Sequence, residues 1–283
     1  METKTQLSFI IVNYKNSAYL DRCLASIFEN VATEKEIIIV NNCSEYSKIF
    51  ENVKILNISE NKGFGNACNI GAKEAQGGIL CFLNPDTEII SNDFEKILNC
   101  FNARHSCESR NLHNRNTTDS RNRRFLVKPE MTEEIGIIGP KLVDENDNVQ
   151  EWIAGREITL SDIILNNLGL KRSRKIWESE KGVECAWVSG ASMFIRKELF
   201  DSLNGFDENF FMYFEDVDLC QRARKLGYKI LYYPEFIVRH FGGKSFENKK
   251  EQKKYYYSSQ DYYFKKHFGK IKAKILKTLR IIS

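Results

Sequence analysis

Four short runs of apolar, β-branched residues, Leu7 to Asn13, Glu36 to Asn41, Val53 to Ile58 and Ile79 to Asn84, are separated by stretches with helical periodicity. A strand followed by a helix returns to the sheet beside and parallel to its predecessor, and the helices cover the faces that result. The alternation therefore predicts an α/β fold with a mostly parallel central sheet flanked by helices. The first helix starts at Ser17, a residue able to cap it, with Leu20, Leu24, Ile27 and Phe28 on one face. A second runs from about Asn66 to Gln76 and stops at Gly77-Gly78.

With 42% of 283 residues apolar, the chain can bury a substantial core. Its longest apolar runs are strand-sized, and the polar start METKTQ lacks a secretory pattern, so the expected location is cytoplasmic. Eight cysteines scattered without a C-x-x-C pair read as reduced thiols. The net charge of +4 is unevenly spread. Asn102 to Leu126 carries six Arg against two acids, and Lys244 to Ser283 carries twelve Lys and Arg against three, so the remainder is acidic. A nucleic-acid binder spreads basic residues over its folded surface, interleaved with aromatic ones, and this chain does not.

Residues 102–126 hold too little apolar surface to offset the entropy of ordering and are expected to be a disordered insertion. The expected organisation is a domain over 1–246 with that insertion and a basic amphipathic tail over 247–283. In the tail, Phe264, Phe268, Ile271, Ile275, Leu279 and Ile282 share a helical face opposite Lys266, Lys270, Lys274 and Lys277. Such a helix can lie on an anionic membrane surface, the inner face of the cell membrane, or dock on its own domain; both readings stay open.

Between these segments lie a strand in IGIIGPKLV from Ile135, an apolar segment from Ala186 to Ile195, and a helix from Lys197 to Leu203. A further helix places Leu219, Ala223 and Leu226 on one face and ends at Gly227. Glu215 and Asp216 stand at its N-terminus, where acids are favourable partners of the helix dipole. Phe210, Phe211, Tyr213 and Phe214 surround them with the apolar lining that lets a carboxylate act as a base.

Asp86 leaves an apolar strand at a Pro-marked turn, which holds a lone carboxylate at an open sheet edge. Asn61-Lys62-Gly63-Phe64-Gly65 leads into a helix and lets backbone N–H groups approach a phosphate, although it matches neither the P-loop nor G-x-G-x-x-G. Together these parts compose one proposal: a nucleotide at the sheet edge, a cation at Asp86 and His240, and a base at Asp216.

The set IIVNYKN, NKGFGNACNIGA, FLNPDTE, GFDENFFMYFEDVDLCQRARKLGY and VRHFGGKS resembles glycosyltransferase family 2, with its GT-A fold, and its bacterial rhamnosyltransferase-like branch. It covers roughly Leu7 to Phe246 apart from the insertion. The resemblance implies inverting transfer of a sugar, with rhamnose from dTDP-rhamnose as one candidate, from a nucleoside diphosphate to a hydroxyl of a cell-surface or polyprenyl-linked glycan. It implies Mg²⁺ or Mn²⁺ at Asp86 and His240, and Asp216 as the base. It further implies donor contacts at Asn13, Asn41, Asn42, Asn61, Gly63, Gly65 and Asn84, and acceptor or donor-sugar contacts at Trp187, Gly190, Glu215 and Asp218, with a structural role for Asp218 as the alternative.

Two departures stand out. Val40-Asn41-Asn42 replaces the acidic V-D-N with amides, whose carbonyl can still accept from a pyrimidine N3–H. Asn84 replaces the first acid of the D-x-D-like motif, leaving Asp86 as its lone carboxylate. A non-catalytic sugar-nucleotide or glycan-binding module with the same fold is the rival reading, although Asp86 and Asp216 are both retained. A nucleotidyltransferase would carry a Gly- and Lys-rich loop near the N-terminus, where this chain has IIVNYKNSAYL.

Overall fold

The computed structural model describes residues 6–42, 46, 48, 50–102, 134–242 and 248–282. The insertion expected over 102–126 falls, but for Asn102, outside these residues, as does the end of the histidine motif.

The expected alternation is realised as β1 (Leu7–Asn13), α1 (Ser17–Asn30), β2 (Lys35–Asn42), β3 (Val53–Ile58), α2 (Phe64–Glu74) and β4 (Ile79–Leu83). β1 pairs with β2 and β4, and β2 with β3, all parallel. Every residue of β1 is buried, as a strand covered on both faces should be. The covering helix α2 can come close because Gly71 has no side chain: a Cβ there would lie 2.6 Å from Ile10 Cγ2. In α1, Leu20, Leu24 and Ile27 face inward as their spacing predicts, but Cys23 completes the buried stripe and Phe28 is left exposed. Ser17 is the first helical residue rather than the cap; Asn16 holds the cap position, and its side chain makes no capping bond to the helix.

The chain continues through β5 (Thr87–Ile89), α3 (Phe94–Asn102), β6 (Ile135–Val143), β7 (Ala154–Gly155), α4 (Leu160–Asn167), α5 (Arg174–Trp177), β8 (Val183–Cys185) and β9 (Trp187–Val188). It ends with β10 (Ser192–Arg196), α6 (Lys197–Ser202), α7 (Glu215–Lys225), β11 (Lys229–His240) and α8 (Lys249–Ile282). The main sheet has the order β3-β2-β1-β4-β10-β6-β11-β5, with β8 also on β11, while β7 and β9 pair separately. β10 runs antiparallel to both its neighbours, and β11 is antiparallel to β5 and β8. The sheet is thus mixed but still mostly parallel: its N-terminal strands pair with one another only in parallel, and β6 runs parallel to β11, while the antiparallel pairs gather in the C-terminal half. The long connection from β4 to β10 imposes no direction, unlike a single helical crossover. The apolar segment from Ala186 to Ile195 is likewise two strands, broken at Ser189–Ala191. In α7, Leu219 and Ala223 are buried, whereas Leu226 has passed the end of the helix and is exposed.

β11 carries the site's most distant residue into place. Its register against β6 shifts between Tyr233 and Ile237, where Pro234 cannot donate to the ladder. Past the shift, Val238, Arg239 and His240 pair with Ile89, Glu88 and Thr87 of β5. His240 therefore lies beside the turn that holds Asp86.

The tail packs on the domain through its first half. Tyr263 and Phe264 are buried, and Ser259 Oγ donates to the carbonyl of Met212 at 2.7 Å. Gly269, at φ 88° and ψ 167°, interrupts α8 and resets its rotational phase. Beyond it Ala273 and Leu276 turn inward, while Ile271 and Ile275 are 78% and 45% exposed. The single apolar face expected from Phe264 to Ile282 is consequently split in two.

Candidate active site

The C-terminal ends of β1, β2 and β4 open into a cleft of about 1310 Å³, closed on the far side by the start of α7, the loop before α4 and the tail helix. Asn42, Asn61, Gly63, Asn84, Asp86, Trp187, Gly190, Glu215, Asp216 and His240 all line it.

At one end, Asn61 Oδ1 accepts from the Gly63 N–H at 2.9 Å and from Asn42 Nδ2 at 3.0 Å. The Gly63 donor fixes which atom of the Asn61 amide is the oxygen, and that in turn directs the Asn42 NH₂ toward it. Asn42 Oδ1 is left buried with no partner among the described residues. A buried carbonyl without a donor is costly, and a ligand N–H would satisfy it. Gly63 itself sits at φ 102°, and a Cβ there would come within 2.3 Å of the Phe211 carbonyl oxygen, so the loop tolerates only glycine.

Asn13 and Asn41 point the other way. Asn41 Oδ1 accepts from Asn13 Nδ2 at 3.0 Å, and Asn41 Nδ2 donates to the Tyr46 carbonyl and to Asn57 Oδ1. Both side chains are buried in an amide network that supports the strand ends rather than facing the cleft. Gly65 is also beneath the surface: a Cβ there would meet Phe206 Cβ at 3.0 Å.

At the middle of the cleft, Asp86 Oδ1 lies 3.6 Å from His240 Nε2, and Asn84 Nδ2 lies 3.5 Å from the same nitrogen. Asp86 is nearly buried, and its carbonyl accepts from the Phe241 N–H at 2.9 Å. A carboxylate oxygen and an imidazole nitrogen suit Mg²⁺ or Mn²⁺, which take few protein ligands and complete their shells with phosphate oxygens and water. No group of three or more His, Cys, Asp or Glu side chains that could hold a metal occurs among the described residues. The donor pair thus fits a cation shared with a diphosphate rather than one caged by protein alone.

At the other end, Tyr213 and Phe214 both adopt left-handed backbone, at φ 68° and 65°. Two consecutive bulky residues there carry strain on the order of 1–3 kcal/mol each, and the turn aims the first residues of α7 at the cleft. Asp216 Oδ2 accepts from the Gly190 N–H at 2.8 Å and Oδ1 from the Val217 N–H at 2.8 Å. Burial raises the Asp216 carboxyl above the ordinary Asp range, while these two N–H groups hold it down in part. Glu215 is pushed well above the usual range by burial and then by the neighbouring Asp216 charge. Its Oε2 is buried without a partner among the described residues. The two adjacent carboxyls stand in unlike surroundings: burial and the Asp216 charge oppose ionisation of Glu215 strongly, whereas the two N–H donors ease that of Asp216.

Asp218 is placed elsewhere. It is fully buried behind the cleft, where Arg222 Nε, Lys266 Nζ and His267 Nε2 approach it at 2.7, 2.6 and 2.7 Å. Burial would raise its pKa, but these partners carry it below the ordinary value. Of the two roles considered for it, the geometry matches the structural one: it ties α7 to α8. Trp187, by contrast, lines the cleft and donates from Nε1 to the Arg156 carbonyl at 2.9 Å.

Four further residues stand here without having been assigned a role from sequence. Tyr14, Lys15 and Arg156 line the cleft, and Gln150 contacts His240. Tyr14 and Lys15 fall inside the IIVNYKN run, whereas no local motif marks Arg156 or Gln150. The described cysteines are free thiols, and burial drives Cys23 and Cys185 up to about 12, far from nucleophilic use.

Comparison with known proteins bears on the family and the fold. The model of the family described as Glycosyl transferase family 2 matches residues 8–152, and that described as Glycosyl transferase family group 2 matches 126–281. The chain is 33% identical over 111 residues to the N-acetylglucosaminyl-diphospho-decaprenol L-rhamnosyltransferase of Mycobacterium tuberculosis, covering 38% of this chain and 36% of that one. It is 32% identical over 111 residues to the rhamnosyltransferase WbbL of Escherichia coli K12, covering 38% and 42%. The match thus spans well under half the length of these relatives. The crystal structure of GalNAc-T7 with UDP, GalNAc and Mn²⁺ superposes with a TM-score of 0.57 at 16% identity, over 93% of this chain and 50% of that one, a likeness of fold.

Proposed function

The chain belongs to glycosyl transferase family 2, with an α/β GT-A-like fold and a C-terminal helical extension, and on that basis we propose that it is an inverting glycosyltransferase using a nucleoside-diphosphate sugar. The observation that carries the reading is the pairing, in one cleft, of the Asp86–His240 donor set with Asp216 on a strained, apolar-walled turn.

In this reading the donor's base lies at the Asn42 end, where the unpartnered Oδ1 accepts a ring N–H, as a pyrimidine N3 supplies. Asp86 and His240 would hold Mg²⁺ or Mn²⁺, which neutralises charge developing on the diphosphate as it leaves. The GalNAc-T7 structure with Mn²⁺ supports that choice of cation. Asp216 takes the proton of the acceptor hydroxyl. The hydroxyl oxygen then bonds to the anomeric carbon as the bond from that carbon to the diphosphate oxygen breaks, with inversion. Glu215, neutral beside it, can donate to a sugar hydroxyl, and Trp187 offers an apolar wall. Asn61 and the glycine at 63 shape the approach to the diphosphate.

The rhamnosyltransferase relatives support rhamnose as the sugar, and the decaprenol in the name of one supports a polyprenyl-linked glycan as the acceptor; dTDP as the carrier is the candidate that goes with this reading. Among the described residues no helix is long and apolar enough to cross a membrane. Ile271 and Ile275, exposed among Lys270, Lys272 and Lys274, support contact with the surface of an anionic membrane. A panel of nucleoside-diphosphate sugars, each with a lipid-linked glycan and Mn²⁺, tests the reading by mass spectrometry. A product heavier by one sugar is expected, and transfer from none of the donors would refute it.

A further inference from the structure

We propose that Gln150 is the positioning residue that fixes the tautomer of His240 and so presents Nε2, rather than Nδ1, to the cation. The inference rests on the metal reading above and goes beyond it to a residue outside the cleft motifs.

Gln150 Nε2 lies 2.7 Å from the His240 carbonyl oxygen, and its Oε1 lies 3.0 Å from His240 Nδ1. A backbone carbonyl can only accept, so the NH₂ of the amide must be the group facing it. The other end of the amide is then necessarily the oxygen, which can only accept, and Nδ1 must carry the hydrogen. In the neutral ring, that leaves the lone pair on Nε2. Nε2 is the nitrogen 3.6 Å from Asp86 Oδ1 and 3.5 Å from Asn84 Nδ2. The carboxylate oxygen and the imidazole lone pair therefore approach each other with no hydrogen between them, an arrangement that a cation between them stabilises.

The clamp is itself anchored. The Gln150 N–H donates to the Leu142 carbonyl at 2.9 Å, and Val143 bridges Val149, so the residue is held by the end of β6, the strand that pairs with β11. One side chain thus grips both the ring and the backbone of His240. A partner on the far nitrogen is the usual way a metal-binding histidine is oriented, and its loss typically weakens metal affinity about 10–100-fold.

The test is nitrogen NMR of the imidazoles in the full chain. Its four histidines make assignment by a His240→Gln variant direct. Spectra at about pH 8, above the ordinary histidine titration range, report the tautomer without metal; broadening of the His240 signals by Mn²⁺ added together with pyrophosphate, which supplies the diphosphate oxygens the site lacks, then reports binding. Wild type is expected to show the Nδ1–H form and to bind Mn²⁺. Gln150→Leu should populate the other tautomer and raise the Mn²⁺ midpoint about 10–100-fold. Gln150→Glu, which keeps an acceptor for Nδ1–H, should retain the tautomer and most of the affinity. The His267 signals, far from this contact, show whether each variant is folded; Gln150→Ser serves if the leucine variant is not. If Gln150→Leu keeps the Nδ1–H form or the wild-type midpoint, or if Gln150→Glu fails alongside it, the proposal is overturned while the metal reading stands. Wild type that takes up no Mn²⁺ overturns both.

Discussion

Replacing Asp218 by Asn separates a structural role from an acceptor contact. The carboxylate is fully buried and meets three donors, from Arg222, Lys266 and His267. An amide oxygen cannot satisfy all three, and its NH₂ adds a fourth donor. Removing one partner of a buried ion pair costs about 3–5 kcal/mol. The lower end applies here, because the others keep company: Arg222 still donates to the carbonyls of Leu203 and Gly205, and Lys266 still reaches Asp207 at 2.7 Å. About 3 kcal/mol at roughly 2 °C per kcal/mol for a chain of this size lowers the melting temperature by about 6 °C. Scanning calorimetry measures that shift, and a transfer assay well below the transition should show unchanged turnover. A variant as stable as wild type but inactive would refute the reasoning and return Asp218 to the cleft.

Asp86→Ala and His240→Ala should each weaken Mn²⁺-dependent donor binding, which calorimetric titrations with and without Mn²⁺ would show; unchanged metal dependence in both would exclude the site. Because the Asp216 carboxyl lies above its ordinary value, kcat/KM should fall as pH drops through a pKa higher than that of a free Asp, while Glu215→Gln, mimicking the protonated form that burial favours, should leave turnover largely intact. Asp207, which burial would raise but Lys266 and Asn209 bring down to about 2, contributes stability present above the unfolded-state value and lost as pH falls through about 2. Acid unfolding of Lys266→Met should begin at higher pH than wild type if that pair holds the tail. Paired Ile271→Asp and Ile275→Asp changes should abolish co-sedimentation with anionic vesicles, and high salt should weaken that of wild type. These changes are cleaner than removing the tail, since Tyr263 and Phe264 are part of the core.

The N-terminal half was legible because its strands are continuous β-branched runs and their spacing leaves room for one helix each. The direction of β10 was not, since AWVSGASMFI reads the same either way and its neighbours come from distant segments. Asp86 and Asp216 could be picked out from a Pro-marked strand exit and a helix start among aromatics. Their company could not: the pairing of β5 with β11 brings His240 to Asp86, and the left-handed pair Tyr213-Phe214 sets the aim of α7. Asn41 and Asn42 look alike in sequence, yet one joins a buried amide network and the other leaves its oxygen without a partner among the described residues. The tail's apolar stripe assumed one uninterrupted helix, and Gly269 breaks it.

The central claim is that Asp216 is the base of a sugar transfer, and single-turnover transfer by Asp216→Asn beside wild type tests it most directly. The variant keeps the size of the side chain, and its carbonyl can still accept from the Gly190 N–H, but it cannot take a proton. The account predicts a fall of about 10²–10⁴ in the rate of transfer with the Kd for the donor unchanged. Wild-type turnover by the variant would contradict it.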